Sequence, residues 1–214
     1  MKKEDLPNKI PVFPLSNFII FPKTTVPLNI FEPRYIDMIN DSMKSNKLIG
    51  MIQPKTSNIK QTKPELHEVG CLGKIVNFKE TNDKRFIITL SGIIRFKIEK
   101  ELNSNKLYRE FEVNYSNFTH DLNIVKIKKE KKDLMNFLNK LKIFFRKKNY
   151  FVQFDELEKL NFDQLLSTIC MIAPLSVEEK QKLIETSETE KKFKVLENII
   201  DFNLVDNIQN STIQ

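Results

Sequence analysis

The chain has 214 residues, 40% of them hydrophobic and 17 of them Phe, with 35 Lys and Arg against 28 Asp and Glu, a formal net charge of +7. That length and apolar content suffice for one large domain or two small ones with a packed core, and they exclude a disordered chain. Four Gly are too few for a Gly-rich phosphate cradle, two Cys make no disulfide framework, and no apolar run approaches the roughly 20 residues of a membrane span. A basic balance raises the weight of nucleic acid, anionic membrane or acidic protein partners, although with acids this abundant a Lys-rich solvated surface explains the charge first. The start, MKKEDLPNKIPVFPL, has no apolar core of signal-peptide length, so the expectation is a cytoplasmic protein.

Short apolar runs dominate the first half. Ile10–Leu15 and Phe18–Phe21 read as strands separated by the turn-like pair Ser16-Asn17. Thr25–Phe31 follows, and Pro27, which cannot donate to a ladder, assigns it to an edge or to a strand's beginning. Pro33 sits where a first-turn proline belongs, with Tyr35, Ile36, Ile39 and Met43 at helical spacing behind it, so the spacing predicts a helix over Pro33–Ser45. Leu48–Ile52 is a further strand, and Pro54–Pro64 is a polar loop bracketed by prolines. Val69–Glu80 and Lys84–Leu90 flank Thr81-Asn82-Asp83 as a hairpin. Ser91-Gly92 reads as a turn before Ile93–Leu102, and Tyr108–Tyr115 completes about seven strands. Closely spaced strands with a single helix point to a small barrel or a sandwich rather than a parallel α/β sheet.

Beyond about residue 118 the apolar period changes to that of helices. Ile127, Leu134, Leu138, Leu141 and Phe145 mark one face of a long helix, with Lys126, Lys128, Lys129, Lys131 and Lys132 gathered at its beginning, where they oppose the macrodipole at small cost. A second helix runs from about Asp163 to Ile172 and is stopped by Pro174. Ser176–Glu179 and Ser187–Glu190 have the spacing of capping boxes, each opening another helix. The organisation expected is α+β: a β subdomain over residues 1–118, then a helical bundle over 119–214.

No catalytic pattern is complete in the sequence. Gly50 to Thr56 lacks the glycine that a Walker A loop places before its lysine, having Pro54 there. His67-Glu68-Val69-Gly70-Cys71 begins like a zincin helix but has no second histidine, and with only His120 and Cys170 elsewhere a four-ligand zinc site is not assembled; a loop His before a buried small thiol explains it. No serine occupies a nucleophile elbow, and the acid pairs Asp155-Glu156 and Glu178-Glu179 fall at helix starts. Phe144-Phe145-Arg146-Lys147-Lys148-Asn149-Tyr150-Phe151 mixes stacking rings with cations as a single-stranded nucleic acid would require, but the end of a helix with a buried aromatic stripe explains it better. No cofactor and no metal are expected.

Several elements together carry a resemblance: Pro11 with Phe13-Pro14-Leu15, Phe21-Pro22, Pro27-Leu28, and the block Phe31-Glu32-Pro33-Arg34-Tyr35. To these are added His67–Gly73, Arg85–Gly92 with Arg95-Phe96, and Lys180–Glu185, which is similar to a KQ-x-LLE element. Across residues 10–200 the chain resembles the amino-terminal substrate-binding domain of Lon-type ATP-dependent proteases, and its Phe31–Tyr35 block is similar to that of the free-standing members. The resemblance implies a PUA-like β pseudo-barrel with one helix, followed by a helical bundle. It also implies a domain that captures substrates, with the ATPase and Ser–Lys peptidase modules of full proteases lying carboxyl-terminal to it. Neither module is expected in these residues, so the expectation is a non-catalytic protein. The resemblance supplies no catalytic residue to transfer.

The leading functional expectation is a module that binds unfolded or apolar polypeptide segments, as an adaptor associated with a protease. Its candidate site is Phe31, Glu32, Arg34 and Tyr35, set in a groove between barrel and bundle. Arg34 beside Glu32 also fits a buried fork-like pair that fixes the helix to the barrel. The competing expectation is an RNA-binding module built on the net charge, the PUA-like barrel and Lys126–Lys132, with affinity that falls steeply with salt.

Overall fold

The computed structural model describes residues 3–55, 63–123 and 131–209, and its packing divides the chain into two compact units, Met1–Ile124 and Val125–Gln214. The first unit carries β1 (Lys9–Pro14), β2 (Thr25–Ile30), α1 (Pro33–Met43), β3 (Leu48–Ile52), β4 (Val69–Glu80), β5 (Phe86–Leu102) and β6 (Arg109–Asn114). The strands form one sheet in the order β2-β5-β4-β3-β1-β6, and β6 also pairs with β5. That last pairing closes β5, β4, β3, β1 and β6 into a barrel and leaves β2 as the strand outside the closure. All neighbours run antiparallel except β1 and β3, which are parallel in the register Val12↔Gly50. One face of the closed strands carries Val12, Ile52, Leu72, Ile94 and Phe96, all inaccessible to solvent, and β3 is buried on its other face as well, through Ile49 and Met51. Pro27 lies in β2, where its missing N–H costs no central ladder bond.

Three strand expectations are corrected. Lys84–Leu90 and Ile93–Leu102 are not two strands joined by a turn at Ser91-Gly92; they are one strand, β5, which runs straight through Gly92. Its first half lies between β2 and β4 and its second half between β4 and β6, so a single long strand serves both the edge and the closure. An irregularity in the β4 pairing, where Leu72 faces Ile94 but Gly73 faces Gly92, bends it at that point. Phe18–Phe21 is not a strand at all. Ile19, Ile20 and Phe21 are fully buried, but the segment is held by its own turn, in which the Thr24 hydroxyl donates to the Phe21 carbonyl (2.7 Å) and accepts from its N–H (3.2 Å). The turn then docks on Gly92, whose carbonyl accepts from Lys23 N–H and whose N–H donates to Thr24 carbonyl, both at 2.9 Å. A Cβ on residue 92 would come 2.1 Å from the Phe21 carbonyl oxygen, so the backbones approach this closely only because residue 92 is glycine.

The first unit ends in a 3-10 helix, Ser116–Leu122, which the sequence reading does not anticipate. Asp121 on it is buried and forks onto Arg95 of β5, Nε to Oδ2 at 2.9 Å and Nη2 to Oδ1 at 2.7 Å, while the Arg95 N–H donates to Oδ2 at 3.1 Å. The guanidinium lies 4.7 Å from the Phe118 ring centre, so one short helix surrounds a fully buried cation. The expected polar loop Pro54–Pro64 falls largely outside the described residues.

The second unit is helical: α2 (Lys131–Lys147), α3 (Phe154–Leu157), α4 (Phe162–Ile172), α5 (Val177–Glu185) and α6 (Thr189–Gln209). Leu138, Leu141 and Phe145 of the expected stripe are buried, joined by Phe137 and Phe144, whereas Ile127, Lys126, Lys128 and Lys129 lie outside the described residues. Helix α2 closes with Asn149 in the left-handed region (φ 56°), Asn149 N–H donating to Arg146 carbonyl and Tyr150 N–H to Phe145 carbonyl, the two bonds of a Schellman motif. Asn161 caps α4, accepting from Gln164 N–H at 3.0 Å, and Ala173, extended as a residue before proline must be, ends it. The capping box Ser176–Glu179 is complete, with both reciprocal bonds made. Helix α6 begins at Thr189, one residue later than the second box implies, with the Glu188 carbonyl accepting from Lys192 N–H at 2.9 Å. Cys71 and Cys170 are buried and not joined in a disulfide, and no helix of the described residues is long and apolar enough to cross a membrane.

Candidate functional site

The four candidate residues meet at the junction where β2 becomes α1, and they divide into one exposed ring and three residues that hold the junction. Pro33 opens the helix with its φ already set and no N–H to leave unsatisfied. Glu32 takes the cap position, and its carbonyl accepts from Tyr35 N–H at 2.9 Å and from Ile36 N–H at 3.0 Å. Arg34 returns to Glu32, with Nε 3.0 Å and Nη2 2.8 Å from the same carboxylate oxygen. The expected buried fork is therefore corrected: both donors converge on one oxygen, and the side chains remain 35% and 45% exposed, so water screens the pair. A pair of this kind orders a junction more than it stabilises it.

Tyr35 is the anchor. It is 6% exposed, stacks edge-on against Phe13 of β1 at 4.5 Å between ring centres, and receives the Arg34 guanidinium on its face at 4.5 Å. Burial pushes its phenol above the ordinary tyrosine range, and the neighbouring Arg34 charge pulls it partly back. Met38 and Ile39, one turn further on, are fully buried on the same face of α1. The helix is thus fixed from Tyr35 onward.

Phe31 points the other way. It is 61% exposed although it directly follows the buried Ile30. With Ile36 it lines a shallow cleft of about 510 Å³ whose opposite wall is Asp83, Lys84 and Arg85, the tip of the β4–β5 hairpin. The strand register explains the meeting: Ile30, the last residue of β2, pairs with Phe86, so Phe31 emerges beside Arg85. The tip is itself ordered. Thr81 N–H donates to Arg85 carbonyl (2.9 Å), Lys84 N–H to Thr81 carbonyl (3.0 Å), the Thr81 hydroxyl contacts the Asp83 carboxylate, and Arg85 pairs with Asp83 at 2.8 Å. The sequence reading recognises the hairpin and the Phe31 block separately. It does not join them, because the register that does so is invisible in either segment alone.

A larger cleft of about 930 Å³ lies in the helical unit at the end of α2, where Tyr150 and the fully exposed Phe151 follow the Schellman turn. Its charged lining is balanced, Lys142 and Arg146 against Asp155 and Glu156. Two of those four are already engaged, Lys142 with Glu158 (3.1 Å) and Glu156 with Lys159 (2.6 Å). Phe144 and Phe145 are buried, as a helix end requires, so the aromatic-basic run is not a stacking platform along its length. His67 and Cys71 form no metal cluster, and no group of three or more ligating side chains is assembled among the described residues.

Comparison with known proteins gives a consistent result. The sequence model of the family described as the ATP-dependent protease La (LON) substrate-binding domain matches residues 9–201. The Lon protease of Dictyoglomus thermophilum is 23% identical over 199 residues, which are 88% of this chain and 24% of that protein, so the chain spans about a quarter of that curated relative. Among solved structures, a Lon N-terminal domain protein from Xanthomonas campestris superposes with a TM-score of 0.62 at 17% identity, covering 88% of this chain and 96% of its own. The N-terminal domain of a Mycobacterium avium complex Lon protease gives 0.63 at 14% identity, covering 90% and 98%. At such identities the superpositions establish the fold.

Proposed function

As the chain belongs to the ATP-dependent protease La (LON) substrate-binding domain family, we propose that it is a non-catalytic recognition module that binds exposed apolar segments of unfolded polypeptides and presents them to a protease. The observation that carries this reading is Phe31: a large ring, 61% exposed, on a junction whose neighbours are all pinned. An aromatic held rigidly in water is pre-organised for burial by a partner, and such rings dominate the energetics of polypeptide interfaces. Phe31 and Ile36 are the contact surface, Tyr35 holds the helix in place, and the Glu32–Arg34 pair orders the strand-to-helix turn. In this reading the chain works in the cytoplasm, in keeping with two cysteines kept as buried thiols.

The test is fluorescence anisotropy of the purified protein against a labelled unfolded polypeptide and a labelled structured RNA, across a salt series. Saturable polypeptide binding that survives 0.5 M salt is expected, and Phe31→Ala should weaken it about tenfold or more while leaving the melting temperature unchanged. Polypeptide binding indifferent to Phe31 would remove this site. Tight RNA binding that collapses with salt, without polypeptide binding, would overturn the reading altogether.

A further inference from the structure

Resting on that reading, we infer that Lys84 makes the Phe31 cleft selective for apolar segments that carry a carboxylate side chain beside the bulky residue. The charges around the cleft do not cancel. Glu32 is taken by Arg34 at 2.8 Å and Asp83 by Arg85 at 2.8 Å, two pairs that neutralise themselves. Lys84 is the fifth lining residue, it is exposed, and among the described residues no acid lies within ion-pair distance of it. A wall with one uncompensated ammonium beside an aromatic ring and an aliphatic side chain is complementary to a peptide that pairs a large apolar residue with Asp or Glu.

The backbone supports the assignment. Lys84 has φ 62°, the left-handed region that glycine occupies at no steric cost and that a side chain with a Cβ enters only against strain. The chain has lysine in this conformation at Lys23 and Lys47 as well. The ammonium of Lys23 is spent on the carbonyl of Asn123 at 2.8 Å, and neither of the two lines the cleft. Lys84 alone combines the strained position, the open charge and the site, and the hydrogen-bonded tip fixes where its side chain begins.

The experiment uses three labelled, unstructured peptides identical except for the residue after a central Phe, which is Glu, Gln or Lys. The full chain should bind Glu over Gln over Lys, each step about two- to fivefold in Kd, because a half-exposed ion pair contributes no more. The steps should shrink as salt rises through 0.5 M while binding through Phe31 persists. Lys84→Gly, which glycine's freedom at φ 62° leaves at least as stable as the parent, should bind the three peptides alike; Lys84→Glu should reverse the order. Lys47→Gly makes the same backbone change away from the cleft and should keep the preference. Equal affinities for the three peptides, or a preference unmoved by Lys84→Gly, would overturn the assignment while Phe31-dependent binding left the recognition site standing. Failure of all three peptides to bind would remove both.

Discussion

Replacing Asp121 by Asn tests whether the short 3-10 helix at the end of the first unit is a structural part of the barrel. Among the described residues Arg95 is the largest side chain with almost no solvent exposure, 1%, and Asp121 is exposed by only 6%. The carboxylate accepts three bonds from Arg95, two from the guanidinium and one from its N–H. The imidazole of His120 lies 3.0 Å from Nη2, and because a guanidinium only donates, His120 Nε2 must accept there. Asparagine keeps the shape but removes the charge and turns a donor toward Arg95, leaving a buried cation without a counter-ion. Breaking a buried pair in this one-sided way costs about 3–5 kcal/mol. At this chain length that is a fall in melting temperature of about 6–20 °C. Hydrogen exchange measured by mass spectrometry should show the loss concentrated in the peptides covering residues 90–98 and 116–123. The double variant Arg95→Met/Asp121→Leu, which removes both charges, should be less destabilised than Asp121→Asn alone. A single variant within about 1 kcal/mol of the parent would refute the reasoning, since it would mean that water reaches the pair.

Three further outcomes follow from the same reasoning. Gly92→Ala drives a Cβ into the Phe21 carbonyl and should cost about 2–4 kcal/mol in urea unfolding, because the turn at Phe21–Thr24 must move off β5 and give up two backbone bonds. Ser176→Ala removes one half of the complete capping box and should cost about 1 kcal/mol by the same assay. Tyr115 is buried, which pushes its phenol well above the usual range, and its hydroxyl donates to the Pro7 carbonyl at 2.8 Å. The folded state therefore keeps a proton that the unfolded chain releases above about pH 10. Its contribution is whole below that pH and is lost as pH rises toward the folded value, so Tyr115→Phe should flatten the alkaline fall in stability that urea titrations at pH 9 to 11 record.

Elements with local rules were legible in the sequence. Val69–Glu80 and Leu48–Ile52 are observed with the boundaries read from their apolar runs, α1 begins at the proline that suits a first turn, and Ser176–Glu179 caps α5. Errors arose where burial and period part company. Phe18–Phe21 is as apolar as any strand, but its backbone bonds go to Thr24 and its own turn, and composition cannot distinguish those partners from a ladder. Ser91-Gly92 carries turn chemistry, yet Gly92 serves a close backbone approach inside a strand, the other use of a residue without a Cβ. Arg95, set between Ile94 and Phe96, did carry a signal: a cation in a run of buried apolar residues needs a buried anion, although nothing local shows that the anion is Asp121.

The candidate site shows the same division at a finer scale. The Phe31–Tyr35 block stands out in the sequence, but which of its residues are packed into the fold and which are open to solvent is decided by side-chain direction. Tyr35 follows the inward face of α1 onto Phe13, while Phe31 precedes the helix and has no layer beneath it. The hairpin tip enters the site only through the β2–β5 register, a long-range pairing fixed by the buried faces of both strands. A one-residue slip of that register would turn Ile30 outward and move Phe31 away from Lys84. The packing that buries Ile30, Phe86 and Ile88 therefore also sets the geometry of the cleft, and a surface placed beside paired strands inherits their rigidity.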